Sequence, residues 1–159
     1  MIEIVKANAT HVDGIVECWI EFADFHAALD PHFTRAADGH VTFGKYISEA
    51  MASPTSLVLA AIDKSSVVGY ALSTVANYPP PLAKRVYGLI SDMAVASAYR
   101  HHGIGAALTE KTIGWFAAQG IDRVELRVVA ANKVGRSFWR KQGFKEYIMV
   151  MYQEVDPKR

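Results

Sequence analysis

Leu89-Ile-Ser-Asp-Met-Ala-Val95, then Ala96-Ser-Ala-Tyr-Arg100, then His101-His-Gly-Ile-Gly-Ala-Ala-Leu108, is the stretch on which the reading of the chain turns. The first part is an apolar strand. The second is a short loop of small and polar residues. The third enters a helix through Gly103-Ile104-Gly105. Glycines at such a junction let a ligand approach the backbone with no Cβ in the way. The unpaired N–H groups at a helix start point outward, and the helix dipole favours negative charge there. Strand, glycine loop and helix together predict an anion site suited to a phosphate or pyrophosphate. Arg100, His101 and His102 add donors and positive potential at its mouth.

Two other phosphate motifs do not fit. A P-loop closes on Gly-Lys-Ser/Thr, and nothing of that kind follows Gly105. A dinucleotide fingerprint needs a third glycine, where Leu108 stands, and an acidic end to the next strand, which here runs Arg123 to Val129.

The rest of the chain frames this motif. Its 159 residues predict one domain, 1–159, long enough to bury a core. A formal net charge of +1 provides no footprint for general nucleic-acid binding. One cysteine, Cys18, excludes an internal disulfide framework and fits a reducing, cytoplasmic setting. Cys18 lies in an apolar helical stretch and reads as core. Neither a signal-peptide pattern nor a membrane-length apolar run is present.

Ile2–Ala7 alternates as a strand. Thr10 reads as the cap of a helix to about Leu29, with Val12, Ile15, Trp19 and Phe22 on one stripe. A second helix from about Thr42 ends at Ser53-Pro54. Ser56–Ile62 and Val67–Ala76 form a hairpin around Asp63-Lys64-Ser65-Ser66. After Tyr78-Pro-Pro-Pro81 come a strand from about Arg85 to Val95 and a helix from Ile104 to Gln119, capped by Gly120. Arg123–Ala130 is a strand, Asn132 caps a helix to about Gln142, and Phe144–Val155 is a last strand. The order is β-α-α-β-β-β-α-β-α-β. It predicts an α/β fold, a mixed sheet with helices on both faces.

Arg100-x-x-Gly103-x-Gly105 resembles the pyrophosphate-binding signature of the GNAT superfamily of N-acetyltransferases. About thirty residues on, Asn132-Lys-Val-Gly135-Arg-Ser-Phe138-Trp139-Arg-Lys-Gln-Gly143-Phe144 resembles its second signature at every spacing. The resemblance covers nearly the whole chain and implies the GNAT fold, with about six to seven strands.

The resemblance implies acetyl-coenzyme A as acyl donor, with no metal. It implies that Met93, Ala94 and Val95 hydrogen-bond the pantetheine arm between two splayed strands. The backbone of Arg100, His101, His102, Gly103, Ile104, Gly105 and Ala106 would hold the pyrophosphate. Asn132 would reach the pantetheine, and Phe138 and Trp139 would pack at its thiol end. The acceptor is a primary amine of a small molecule or protein, and a homodimer is a family-level expectation. No nucleic acid or membrane partner is implied.

Acyl transfer by direct attack needs a base for the ammonium, an N–H for the oxyanion, and often an acid for the thiolate. The family's acid is a tyrosine where this chain has Trp139, and an indole does not protonate a thiolate. Tyr147 and Tyr152 are substitutes to consider. The family's base tends to match Leu89 or Ser91. Strict alternation puts Leu89, Ser91, Met93 and Val95 on one face and Ile90, Asp92 and Ala94 on the other, so Asp92 reads as structural. Ser91 is then the polar group left to order a water. Glu21, His26, Asp30 and His32, with the Tyr78-Pro-Pro-Pro loop, surround the expected acceptor side. The missing tyrosine also motivates a second reading, a non-catalytic acyl-coenzyme A binding or sensing module.

Overall fold

The structure, a computed structural model, describes residues 1–158. Strand β1 (Ile2–Lys6) leads into helices α1 (Val12–Leu29) and α2 (Gly39–Ala52). Strands β2 (Ser56–Asp63), β3 (Ser66–Asn77) and β4 (Val86–Val95) follow, then α3 (Ile104–Ala117), β5 (Val124–Leu126) and α4 (Lys133–Lys141). The sheet has five strands in the order β1-β2-β3-β4-β5. The first four pair antiparallel and β5 joins β4 in parallel. This is the mixed sheet the sequence predicts, with one strand fewer than the smallest count expected.

The missing strand is at the C-terminus. Phe144–Val155 joins no strand ladder among the described residues, and Ile148 to Tyr152 are exposed. Its apolar residues have strand propensity, but a strand also needs a partner edge. Two smaller corrections concern caps. Asn8, not Thr10, caps the first helical turn: it accepts from Thr10 N at 2.9 Å, and Asn8 N donates to His11 Nδ1 at 3.1 Å. Helix α2 begins at Gly39, three residues ahead of the predicted start.

Two cores hold the sheet. On one face Ile15 and Cys18 of α1 and Phe43 and Ile47 of α2 meet Val58, Tyr70, Leu72 and Ala94. Burial pushes the Cys18 thiol up to about 11, so it is a core residue and not a nucleophile. On the other face Ile104 and Leu108 of α3 meet Leu59, Ala61, Val68 and Ala71. Each fully buried aliphatic side chain here contributes about 1.5–3 kcal/mol. Helix α3 sits close on β4, where a Cβ at Gly88 would come within 2.8 Å of the Phe116 ring. That packing sets the last turn of α3 against the start of β4.

Candidate active site

The β4–β5 ladder is short. It joins Gly88 to Val124, Leu89 to Glu125 and Ile90 to Leu126, and stops. β4 continues to Val95, still paired with β3 on its other edge. Residues 91–95 therefore present an edge without a strand partner toward the opening between β4 and β5. A cleft of about 340 Å³ occupies that opening. Its sheet walls are Ile90, Ser91, Asp92 and Met93 on one side and Leu126, Arg127, Val128 and Val129 on the other. Asn132 and Trp139 close one end, and Trp19, Phe22, His26 and Phe33 come from α1 and the turn after it.

An irregularity in β4 decides what faces this cleft. Leu72 pairs with Asp92 and the next residue, Ser73, pairs with Ile90, so Ser91 is an unpaired bulge. A bulge adds one residue and breaks the two-residue period of side-chain direction. Leu89 pairs with Thr74, Asp92 with Leu72 and Ala94 with Tyr70, all on the α1 face; Ile90 and Met93 pair with Ser73 and Ala71 on the α3 face. The alternation argument that set Asp92 apart from Leu89 therefore fails. Nothing in the local residue pattern marks the bulge, and only the register reveals it.

Asp92 is mostly buried beside Tyr70, yet its Oδ1 has no hydrogen-bond partner. The Tyr70 hydroxyl is its neighbour and is likewise unpaired. Burial raises the Asp92 carboxyl to about 6, and the nearby Tyr70 hydroxyl and Met93 N–H offset part of that rise. A carboxylate near neutrality that opens onto a cleft is equipped to take a proton. The sequence reading discounted this residue.

At the top of β4 the chain makes a short 3-10 turn, Ser97–Tyr99, and enters α3. Gly103 precedes the helix with φ +79°, a left-handed conformation that favours glycine. Gly105 has a different reason. A Cβ there would lie 3.0 Å from the ring of Phe138, so this glycine admits α4 against α3 rather than a ligand. The N–H groups of His101 to Ala106 donate to no protein group among the described residues. Arg100 N is committed to Ser97 O at 3.3 Å, so the run of free N–H groups begins at His101.

The Arg100 side chain is also committed. Its Nε donates to Val95 O at 3.1 Å and its Nη2 to Glu21 Oε1 at 3.3 Å. Glu21 Oε1 also accepts from Ser97 N at 2.8 Å. Arg100 thus braces the loop against α1 instead of lying free at the mouth, and it removes the Val95 carbonyl from the acceptors open to a ligand. His102 Nδ1 approaches Arg100 O at 2.7 Å, which fixes the proton on that nitrogen.

From α4, Asn132 caps its own helix, accepting from Gly135 N at 2.8 Å. Its Oδ1 is used there, and its amide nitrogen is left for a ligand. Phe138 packs on Gly105 and on Trp139, with ring centroids 4.8 Å apart. Trp139 lines the cleft and Phe138 does not.

Ser91, Met93, Asn132 and Trp139 come together at the cleft, with Ala94 buried just above. Tyr147 and Tyr152 do not: both are exposed, and Tyr147 lies over the Arg123 guanidinium, 4.3 Å from it. Tyr147 is thus removed as a candidate acid. Of the acceptor-side residues, His26 reaches the cleft, while Asp30 caps the turn after α1 by accepting from His32 N at 2.9 Å. His32 is outside the cleft, stacked edge-on against Phe33. Tyr78 stacks on Tyr87 at 4.3 Å and donates to Glu125, so its loop does not line the cleft.

The sequence model of the acetyltransferase (GNAT) family matches residues 19–144. No curated protein matches by sequence. Among solved structures, a tetramutant of the BH1408 protein from Bacillus halodurans superposes with TM-score 0.88 at 20% identity, covering 96% of this chain and 99% of that one. The aminoglycoside 6'-N-acetyltransferase AAC(6')-IG from Acinetobacter haemolyticus gives 0.76 at 15% identity, covering 97% and 99%. AAC(6')-Iy, bound to the bisubstrate analog CoA-S-monomethyl-acetylneamine, gives 0.72 at 16% identity, covering 98% and 99%.

Proposed function

Because the chain belongs to the acetyltransferase (GNAT) family, we propose that it moves an acetyl group from acetyl-coenzyme A to a primary amine, bound together with it in the β4–β5 cleft. The observation that carries this reading is the unpaired edge of β4, residues 91–95, leading directly to the free N–H groups before α3. The donor's amide-bearing arm fits the first, and its pyrophosphate fits the second. The Asn132 side-chain amide nitrogen and the Trp139 ring would bound the arm.

The acetyl thioester supplies an activated carbonyl carbon. The amine nitrogen bonds to that carbon, the C–S bond breaks, and the thiolate leaves with the pair. Asp92, ionised above about pH 6, accepts the proton lost by the attacking ammonium, directly or through a water ordered at Ser91. In this register Ala94 turns its N–H toward Tyr70 on β3, so the N–H groups of Met93 and Val95, on the unpaired edge, are the ones that would meet the oxyanion. Trp139 stands where the family has its tyrosine and its indole is no acid for a thiolate, so on this reading solvent supplies that proton.

The acceptor enters past Trp19, Phe22, His26 and Phe33. These walls are aromatic and lack an acidic cluster, which suits an amine on an apolar or flat body better than a polycation. On this reading residues 1–159 are one N-acetyltransferase domain acting in the cytoplasm. The test is acetyl-coenzyme A-dependent thiol release across a panel of primary amines. Turnover with at least one amine, lost in Asp92→Asn, supports the proposal. Binding of acetyl-coenzyme A without turnover on any amine returns the protein to the reading as an acyl-coenzyme A sensor.

A further inference from the structure

The charged residues of the β4–β5 cleft are unequal in sign. Asp92 is its one carboxylate, whereas Arg35 and Arg127 both line it and neither has a part in the chemistry above. Arg35 follows α1 and is half-buried on the side of Trp19, Phe22 and Phe33. Its Nε donates to Asp24 Oδ1 at 2.8 Å, and Asp24 stands outside the cleft. Its Nη1 and Nη2 donate to no protein group among the described residues. Asp24 thus orients the guanidinium fork and leaves its outer donors unused. Arg127 comes from the opposite wall, one residue past β5. Leu89 on the α1 face pairs with Glu125, and alternation puts Arg127 on that same face. Among the described residues its side chain makes no ion pair.

These cations are not needed by the donor. Its pyrophosphate fits the free N–H groups past the end of β4, and its arm is uncharged. They face the acceptor instead. A primary amine arrives as an ammonium ion, which Asp92 attracts and two guanidiniums repel. An acceptor with positive charge alone meets that repulsion, and one that also carries a negative group is held by it. The charges balance for a single anion. Asp24 offsets Arg35, Asp92 offsets the ammonium, and Arg127 retains one positive charge. Guanidinium forks match a carboxylate in shape as well as in sign. Between the charged groups the walls are Trp19, Phe22 and Phe33, with His26 packed on Phe22 at a centroid distance of 4.2 Å. Such walls suit an apolar or aromatic side chain. A cleft of about 340 Å³ that also admits the acetyl end of the donor leaves room for a small acceptor.

We propose that the acceptor is a free amino acid with an apolar or aromatic side chain, its carboxylate taken by Arg35 and Arg127 and its amino group turned to Asp92. The amino nitrogen bonds to the acetyl carbon, and the C–S bond breaks with its electron pair on sulfur. Of the two protons the ammonium gives up, one passes to Asp92 and on to solvent, and the other reaches the thiolate through solvent. The product is the N-acetyl amino acid. The inference rests on the acetyltransferase reading for the fate of the amino group, and on the two arginines for the carboxylate.

The test uses the full chain. Thiol release from acetyl-coenzyme A is followed with phenylalanine, tryptophan, leucine and methionine, each beside the amine that lacks its carboxylate, and with spermidine and an aminoglycoside as polycations. At least one amino acid is expected to exceed its matched amine in kcat/KM by about 100-fold or more, with the polycations poorest. Arg35→Gln and Arg127→Gln are each expected to reduce that ratio by about tenfold or more, through the KM of the amino acid and not that of acetyl-coenzyme A. Arg127 is exposed, so its variant keeps the fold. Calorimetry of the same pairs on protein saturated with coenzyme A reads the preference without the chemistry. Carboxylate-selective binding with no turnover would overturn the acetyltransferase reading and support the carboxylate site. Turnover indifferent to the carboxylate, binding of neither member of any pair, or a preference unchanged in both arginine variants would overturn the present inference.

Discussion

Asp92 stands opposite Leu72 across the β3–β4 ladder, one register step from where uninterrupted pairing would put it. That step, taken at Ser91, turns the carboxyl onto the face shared by Leu89 and Ala94 and toward the cleft. If Asp92 is the general base, Asp92→Asn lowers kcat/KM by about 10²–10³-fold with little change in acetyl-coenzyme A affinity. In the unmodified protein the kcat/KM profile falls below about pH 6, where the carboxyl becomes protonated. The variant's residual rate lacks that limb, and a pH series on both proteins checks it.

The same carboxyl burdens the fold. Burial raises it from 3.8 to about 6, so between those values the folded state keeps a proton that the unfolded state has lost. Stability then falls as pH rises through this window, and above about 6 the cost is constant at up to about 3 kcal/mol. Asp92→Asn is therefore expected to melt higher than the parent at pH 8, by several degrees at about 2–4 °C per kcal/mol, with the difference vanishing near pH 4. Thermal melts across that range decide it. A variant that melts lower at pH 8 contradicts the burial argument.

Gly135 occupies the place where the family signature has alanine, and in this chain alanine does not fit. A Cβ at 135 would lie 2.6 Å from Asn132 Nδ2 and 2.9 Å from its Cγ, in the space of the helix cap. Gly135→Ala, although better for helix propensity, is expected to dislodge the cap and cost about 1 kcal/mol net. It should also weaken acetyl-coenzyme A binding through Asn132. Calorimetry of binding and a denaturant series measure the two effects.

Glu21 joins α1 to the loop between β4 and α3 through Ser97 N and Arg100. The ion pair is half-exposed and contributes less than about 1 kcal/mol by itself. Its effect lies in position. Glu21→Ala and Arg100→Ala should each weaken coenzyme A binding by loosening the loop, and the double variant should lose less than the sum. Glu21→Gln, which still accepts from Ser97, should lose least. A free Arg100 contacting phosphate directly would instead give additive losses.

The strand-loop-helix junction, both family signatures and the order of the first nine elements were legible because each rests on local chemistry. The αL glycine at 103, the Asn132 cap and the amphipathic stripe of α1 are set by residues close in sequence. The bulge was not legible, since Ser91 is unremarkable and the register depends on how β3 and β4 pair. The role of Arg100 was not legible either, because its partner Glu21 is 79 residues away. The last strand was expected from a propensity that Phe144–Val155 does possess. What the sequence does not encode locally is an edge to receive it.

The central claim is that the unpaired edge of β4 and the N–H nest before α3 are one binding surface for acetyl-coenzyme A. Hydrogen exchange with and without the ligand tests it most directly. The account predicts that saturating acetyl-coenzyme A slows exchange at residues 91–95 and 101–106 together, while NAD and ATP do not. Exchange unchanged in both segments at saturation, or slowed equally by ATP, would contradict it.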